Sequence, residues 1–252
     1  MLSIIIPILN ESETIEETIG AVIENLSGEI KTEVILVDGG STDGTIEKIE
    51  AILSNRKGPK KSFSICLLHS PKGRARQMNL GAKNAKFEVL YFLHADSLPP
   101  NNFDKYILKE VESGNLAGCF RMRFDSTHWW LRLAGWLTQF NWKISRGGDQ
   151  SQFITKSLFE EVGGFDESYI IYEDNILISE LYKRNKFVVI PHSLTTSARR
   201  YREHGVWRLQ YHFWRIHLKR RLGADAWELY EYYSRHISNK NLNRLHKKPQ
   251  KF

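Results

Sequence analysis

The chain has 252 residues, of which 41% are hydrophobic and 26% charged, and its formal net charge is +7. This composition is that of a globular protein with a substantial core, which excludes a disordered or fibrous chain. Its two cysteines, Cys66 and Cys119, lack zinc-binding spacing and suit a reducing cytoplasm. No segment approaches the roughly 18–20 uncharged apolar residues of a membrane span, so we expect a cytoplasmic protein with neither signal peptide nor transmembrane helix.

The first part of the chain alternates between strands and helices. Hydrophobic runs typical of buried strands occupy Leu2–Ile8, Thr32–Val37, Phe63–Leu68 and the start of Glu88–Asp96. Helical periodicity follows each of the first three, and the helix entered through Gly73 has a small apolar face that implies close packing on the sheet. This order predicts a mainly parallel sheet with helices on both faces.

The pattern changes after a predicted helix near Asn102–Ser113. Residues 118–124 alternate between inward and outward positions, as in a half-exposed antiparallel strand. A tryptophan-rich, helix-like stretch then covers Thr127–Arg146, and a final strand is expected at Phe187–Ile190. We therefore divide a catalytic domain, residues 1–204, into a nucleotide-binding half (1–98) and an acceptor half (99–204).

The last part of the chain is basic. A helical extension, residues 205–236, begins with one helix over Gly205–Leu222 that carries an aromatic face beside arginines and lysines. This face either packs on the catalytic domain or, together with the Trp129–Trp142 stretch, rests on an anionic membrane surface. Residues 237–252 are polar and rich in lysine and asparagine, and we expect them to be disordered.

Acidic residues follow several predicted strands, at the edge of an α/β sheet where ligands bind. Asp96 follows the fourth strand, where a carboxylate is placed to hold a divalent cation and, through it, a diphosphate. Asp38 follows the second strand and suits a base or a ribose, while a later carboxylate in Glu173-Asp174 suits a general base. Each acid taken alone is also compatible with capping a turn. Arg74, at the start of a helix, invites an anion or is merely solvated.

Four segments in this order resemble the GT-A glycosyltransferases of family two: Ser3–Glu11, Val37–Thr45, Gly73–Ala82 and Leu93–Ser97. The resemblance implies a Rossmann-like GT-A fold, which is α/β with a mixed, mainly parallel sheet flanked by helices. It also implies an inverting, metal-dependent enzyme that moves a sugar from a nucleotide-diphosphate sugar to an acceptor hydroxyl, with a lipid-linked acceptor as one option.

The resemblance also assigns site residues by position. The nucleotide-sugar pocket would be lined by Pro7, Asn10, Glu11, Asp38, Gly40, Asp43, Gly73, Arg74, Gln77 and Ala95. Asp96 falls on the last Asp of the Asp-x-Asp metal motif, for Mn²⁺ or Mg²⁺, and His94 stands at the first. Asp174 falls on the catalytic base, with Glu173 beside it.

Two departures from the family pattern refine these expectations. His94 replaces a carboxylate, which either weakens metal binding or favours a softer cation such as manganese. The Gln-x-x-Arg-Trp signature of processive synthases is missing, and Arg199-Arg200-Tyr201 stands near its place. We therefore expect transfer of a single sugar. The two arginines either grip the diphosphate or belong only to the basic helix.

Two other functions are compatible with parts of the sequence. A sugar-nucleotide nucleotidyltransferase shares the fold type, but its Gly-rich N-terminal loop is replaced by Asn10-Glu-Ser-Glu13. A non-catalytic basic module would use the Arg/Trp helix to bind an anionic membrane. The acidic strand ends argue against nucleic acid as a partner.

Overall fold

The computed structural model describes residues 1–55, 63–147, 150–184 and 186–238. The chain divides into two compact units: the first comprises residues 1–167 and 173–197, and the second comprises residues 168–172 and the chain from 198 onward. The expected disordered tail lies, from residue 239, outside the described residues. Within the described part, no helix is long and apolar enough to span a membrane.

The first unit is built on one mixed sheet. Its described strands are β1 (Leu2–Ile8), β2 (Thr32–Asp38), β3 (Phe63–His69), β4 (Val89–Phe92), β5 (Ser97–Leu98), β6 (Ala117–Phe124), β7 (Gln152–Thr155) and β8 (Phe187–Thr196). They lie in the order β3-β2-β1-β4-β7-β6-β8-β5. Strands β3, β2, β1 and β4 are mutually parallel, and β6 is parallel to β8. Strand β7 is antiparallel to both of its neighbours, β4 and β6, and β5 is antiparallel to β8.

Helices cover both faces of this sheet. In the first unit they are α1 (Ile15–Asn25), α2 (Thr45–Asn55), α3 (Arg74–Asn84), α4 (Phe103–Glu112), α5 (Trp129–Leu137), α6 (Lys156–Glu161) and α7 (Glu173–Lys183), with a 3₁₀ turn at Lys143–Ser145. Strand β1 is buried on both sides: Ile4 and Ile6 join one hydrophobic cluster, and Ile5 joins the other. Helix α3 packs so closely that a Cβ on Gly81 would lie 2.4 Å from Ile5 Cγ2. The expected close packing of this helix is confirmed.

The second unit is helical in its described part. It contains α8 (Arg199–His204), α9 (Val206–Arg221) and α10 (Ala226–His236). The sequence predicted one helix over Gly205–Leu222 and did not separate α10. A capping box starts α10: Asp225 accepts from the Glu228 amide at 2.8 Å, and Glu228 accepts from the Asp225 amide at 3.0 Å.

Three predicted elements differ from the structure. Strand β4 ends at Phe92, and a separate strand that was not predicted, Ser97–Leu98, pairs with Thr195 and Thr196 of β8. Strand β8 continues past Pro191, because the pairing of β6 with β8 shifts at this point and spares the proline a ladder hydrogen bond. Strand β6, predicted to be of antiparallel type, is antiparallel to β7 but parallel to β8.

Candidate functional site

The loops after β1 and β2 are joined by side chain to backbone hydrogen bonds. Asn10 accepts from the Thr42 amide at 2.8 Å, and its own amide donates to Ser41 Oγ at 2.9 Å. Asn10 has a φ of 55°, a left-handed conformation that asparagine tolerates better than most residues. Asp43 accepts from the Ser12 amide at 3.0 Å. Two predicted pocket residues thus hold the two loops together.

Asp43 is also held by Thr45, whose hydroxyl donates to Oδ1 at 2.5 Å. Desolvation raises the pKa of Asp43, but the hydrogen bonds from Thr45 and Ser12 outweigh it and lower the pKa to about 2. Glu11 donates its backbone amide to the same Thr45 hydroxyl at 2.9 Å. These hydrogen bonds therefore favour the ionised form of Asp43.

Asp38, at the end of β2, is buried in the turn that it starts. Its carboxylate accepts from the amides of Gly40 at 2.8 Å and Ser41 at 3.1 Å. Gly40 has a φ of +92°, which favours glycine at this position. His69 lies beside it, with Nδ1 3.7 Å from Asp38 Oδ2.

Gln77 is buried and hydrogen-bonds to the ends of β1 and β2. Its Nε2 donates both protons to backbone carbonyls, to Ile8 O and to Val37 O, each at 2.7 Å. The resemblance placed Gln77 near the ribose and phosphates, yet its N–H groups are used within the protein. These two bonds fix the spacing of β1 and β2, and contact of Gln77 with a ribose or phosphate stays a prediction.

Arg74 connects the starts of two helices. It opens α3, and its guanidinium donates to Glu173 from Nε and to Asp174 Oδ2 from Nη2, the latter at 2.5 Å. Its Nη1 lies 3.5 Å from His94 Nδ1. The predicted anion at the start of α3 is thus supplied by the protein itself, and residues predicted for the donor, the metal and the base meet here.

The acidic pair at the start of α7 is buried. Glu173 is 0% exposed and Asp174 is 1% exposed, whereas the Arg74 side chain is 33% exposed. Among the described residues, no group hydrogen-bonds Glu173 Oε2. The preceding residue, Tyr172, has a φ of 74°, a strained conformation for an aromatic residue. A buried carboxylate oxygen without a donor is costly unless a ligand supplies one.

The predicted metal ligands follow β4. Asp96 is half-buried, its carbonyl accepts from the Ser197 amide at 3.2 Å, and the Ala95 carbonyl accepts from Thr18 Oγ1 at 2.6 Å. The described residues contain no cluster of three His, Cys, Asp or Glu able to hold a metal ion. One carboxylate fits a Mg²⁺-type ion, which normally takes one or two carboxylates plus substrate phosphates. Because His94 Nδ1 lies beside Arg74, the ring would have to bind a metal ion through Nε2.

The remaining predicted residues occupy three different settings. Pro7 is buried in β1 opposite Val37, and Gly73 precedes α3 with a φ of +142°. Arg199 and Arg200 belong to α8 in the second unit, where Arg200 donates to the Tyr233 hydroxyl. Contact of these two arginines with a diphosphate stays a prediction.

Sequence reasoning did not assign Gln152. This residue starts β7, pairs with Phe92 of β4 and is 2% exposed. Within the described part of the chain, the side-chain atoms Nε2 and Oε1 of Gln152 have no hydrogen-bond partner. The same is true of Gln150 Nε2. The sequence did carry a signal for this residue: a glutamine at the start of a core strand is unusual, because glutamine is rarely buried.

Solved structures share this fold. The mannosyltransferase PcManGT from Pyrobaculum calidifontis, in complex with GDP-Man and Mn²⁺, aligns with a TM-score of 0.66 and 17% identity over 92% of this chain and 69% of its own. Residues 1–349 of S. aureus TarS, in complex with UDP, align with a TM-score of 0.60 and 19% identity over 96% and 73% of the two chains. The fold is that of the GT-A glycosyltransferases.

The particular family follows from the sequence. The family model described as glycosyl transferase family 2 matches residues 3–166, so the chain belongs to that family. Poly-beta-1,6-N-acetyl-D-glucosamine synthase of Staphylococcus aureus strain COL is 32% identical over 122 residues, 47% of this chain and 28% of the synthase. The Staphylococcus epidermidis synthase is 28% identical over 130 residues, 50% and 30% of the two chains. The chain spans less than a third of the length of these curated relatives.

Proposed function

We propose that this protein is a glycosyltransferase that moves a single sugar from a nucleotide-diphosphate sugar to an acceptor hydroxyl with inversion at the sugar carbon. The observation that carries the proposal is the set of contacts that the Arg74 guanidinium makes. It brings the buried pair Glu173-Asp174 together with His94 at the end of β4. A polar, charged and largely buried cluster beyond the carboxyl end of a parallel strand is where α/β proteins bind and convert ligands.

The donor would lie on the rim formed by the loops after β1 and β2. Two similar structures hold nucleotides, the nucleotide sugar GDP-Man in PcManGT and UDP in TarS. In this chain the rim presents Asp38, whose carboxylate oxygens keep lone pairs for a ribose or a base. Arg199 and Arg200 are proposed to contact the diphosphate as well.

Asp96, with His94, would hold the divalent cation, Mn²⁺ or Mg²⁺. Its carboxylate follows the central strand β4, and the similar mannosyltransferase contains Mn²⁺. When bound, the cation neutralises the charge that develops on the leaving diphosphate.

Asp174 would act as the general base. The acceptor hydroxyl loses its proton to the Asp174 carboxylate while its oxygen bonds to the sugar carbon, and the bond from that carbon to the diphosphate oxygen breaks. Attack on the face opposite the leaving group inverts the carbon in one displacement. Arg74 is the counter-ion of these two buried carboxyl groups.

The second unit would hold the enzyme against the anionic inner face of the cell membrane. Its helix α9 carries five basic residues and no acidic one. An aromatic and aliphatic set on the same helix is about half or more exposed, namely Trp207, Tyr211, Trp214, Leu218 and Leu222 just after it. Tryptophans settle at the headgroup level and basic residues add attraction to anionic lipid. This contact would favour a lipid-linked acceptor.

A panel of UDP-, GDP- and dTDP-sugars, each with Mn²⁺, with Mg²⁺ or with chelator, tests the donor by thermal unfolding. A ligand at a hundred times its dissociation constant should stabilise the fold by about 2.7 kcal/mol. The stabilising donor should then be hydrolysed or transferred with release of the nucleoside diphosphate. Release of inorganic diphosphate from a nucleoside triphosphate and a sugar phosphate would instead show a nucleotidyltransferase, and binding without turnover a non-catalytic module.

A further inference from the structure

A cavity lies between β6 and α5 in the first unit, and its lining is strongly basic. It has a volume of about 330 Å³, and three arginines line it: Arg121, Arg123 and Arg132. Among the described residues that line it there is no acidic side chain, and none belongs to the cluster around Arg74. We refer to this cavity as the arginine pocket.

The arginines converge for reasons of local structure. Arg121 and Arg123 are two positions apart on β6, so their side chains leave the same face of the strand. Arg132 comes from the first turn of α5, which packs across that strand. Three positive charges therefore share one concave surface.

The positive charge in the pocket is largely uncompensated. Arg121 Nε is buried without a hydrogen-bond acceptor among the described residues. In the same part of the chain, no hydrogen bond or ion pair involves the Arg121 or Arg132 side chain, and Arg123 donates only to a neutral hydroxyl, Thr195 Oγ1, at 3.1 Å. Arg123 and Arg132 are exposed to solvent, whereas the buried Arg121 Nε is a costly donor without an acceptor, which an anion in the pocket would satisfy.

The pocket is formed by closely packed elements. A Cβ on Gly135 would lie 2.9 Å from the Met122 carbonyl, so α5 is in close contact with β6. Thr138 Oγ1 accepts from the Met122 amide at 2.8 Å. Buried Arg146 donates to the carbonyls of Thr138 at 2.5 Å and Phe140 at 2.7 Å, which fixes the end of α5. A ligand would meet a preformed site.

An exposed apolar stripe adjoins the pocket. Trp129, Leu133 and Trp136 lie four and three positions apart on one face of α5, and their exposed fractions are 61%, 38% and 57%. Trp136 also lines the pocket. Trp142 and Ile144, further along the chain, are also exposed, at 53% and 92%. A cationic cavity bordered by exposed tryptophans matches a molecule with an anionic head and an apolar body.

We propose that the arginine pocket binds the phosphate headgroup of an anionic lipid, with Trp129, Leu133 and Trp136 against the apolar part of the lipid. The planar fork of each arginine matches phosphate geometry. Because no carboxylate lines the pocket, these guanidinium donors are available to a phosphate. The inference deepens the membrane contact proposed above and rests on it. It adds a specific headgroup site to the diffuse attraction expected from α9.

Charge-conserving variants of the full chain distinguish a specific site from diffuse attraction. Arg121→Lys/Arg132→Lys keeps both charges but removes the forked donors, whereas diffuse attraction depends on charge alone. In flotation with phosphatidylcholine vesicles that contain phosphatidic acid, we expect the variant to partition about tenfold more weakly than the parent. The matched control is Arg215→Lys/Arg221→Lys, which makes the same change at two exposed arginines of α9 and should bind like the parent.

Two further experiments distinguish a lipid headgroup from free inorganic phosphate as the ligand of the arginine pocket. Leu133→Gln/Trp136→Gln should weaken vesicle binding, and millimolar inorganic phosphate should not release the parent from vesicles. Release by inorganic phosphate would overturn the lipid assignment. Binding of the Arg121→Lys/Arg132→Lys variant equal to that of the parent would overturn the headgroup site and leave the general contact intact. A parent that binds no vesicle would remove both, while its response to nucleotide sugars would still support glycosyl transfer.

Discussion

Arg74 Nη2 lies 2.5 Å from Asp174 Oδ2, although the two residues are 100 positions apart in the chain. Arg74 is the first residue of α3, and Asp174 is the second residue of α7. An arginine at a helix start opposes the helix dipole, whereas an aspartate there is favourable, so the ion pair compensates the unfavourable end. The pair also explains how α7 can start with two buried acids.

Replacing Arg74 should destabilise the protein. Arg74→Met leaves Glu173 and Asp174 buried without their counter-ion, which costs about 3–5 kcal/mol at a fully buried site. Since the Arg74 side chain is 33% exposed, water screens part of this loss, and we expect about 1–3 kcal/mol in urea unfolding. The matched control is Arg76→Met, because Arg76 is 52% exposed and lies 3.6 Å from the exposed Glu167. Equal losses in the two variants would contradict a special role for Arg74.

The base should be identified by isosteric variants of the acidic pair. Asp174→Asn cannot accept a proton, so transfer should fall at least about 100-fold while donor binding survives. Glu173→Gln should lose less, although Glu173 Oε2 has no partner among the described residues. Single-turnover transfer at saturating donor measures both. If Glu173→Gln is inactive and Asp174→Asn is not, the roles of the two residues are reversed.

Removing the carboxylate after β4 should abolish the response to metal. Asp96→Ala should eliminate metal-dependent donor binding, measured by calorimetry in Mn²⁺, with the melting temperature within a few degrees of the parent. His94→Asp restores the second carboxylate of the family motif and should shift the preference from Mn²⁺ toward Mg²⁺. Unchanged donor affinity of Asp96→Ala in Mn²⁺ would exclude Asp96 from the metal shell.

Asp43 should make stability sensitive to acid. Its pKa is about 2 in the folded protein and 3.8 in its ordinary state, so the unfolded chain takes up its proton first as the pH falls. The stabilising contribution of Asp43 is therefore present above about pH 4 and is lost between about pH 4 and pH 2. Asp43→Asn should reduce the slope of unfolding free energy against pH in that window alone. An identical slope in the parent and the variant would show that the loop does not depend on this charge.

Helix α9 should contribute to vesicle binding through charge. Arg208, Arg215 and Arg221 are exposed, and each basic residue near anionic lipid contributes about 1 kcal/mol. Reversing all three to glutamate should weaken binding to phosphatidylglycerol vesicles more than about a hundredfold at low salt. High salt should weaken the parent as well. Binding of the parent that is absent or insensitive to salt would leave the aromatic residues of α9 without a membrane role.

The sequence predicted the parallel half of the fold well, because its strands are apolar on both faces. Strand β1 is the clearest case, since Ile4 and Ile5 face different clusters. Hydrophobic pattern did not reveal β5, because two residues carry no periodicity and their pairing with β8 depends on the folded chain. It also missed the continuation of β8 past Pro191, since only the shifted register tolerates a proline there.

The sequence indicated where several candidate site residues lie in the fold, while their roles stay predictions. Asp38 and Asp96 follow strands as the sequence indicated. The hydrogen bonds that each one makes, however, could be read only from the folded structure. Gln77 was predicted to approach a nucleotide, yet its N–H groups are used by two carbonyls. The partnership of Arg74 with Asp174 was not visible either, because a long-range ion pair leaves no local pattern.

The buried amide of Gln77 sets the distance between the ends of β1 and β2 by donating to Ile8 O and Val37 O at 2.7 Å. The loops that carry Asn10 and Asp43 therefore start from fixed points before any ligand arrives. A ligand on this rim would not have to order the backbone, which otherwise costs about 1–2 kcal/mol for each residue. Its affinity would reflect the contacts that it makes, and no loop rearrangement would slow its association.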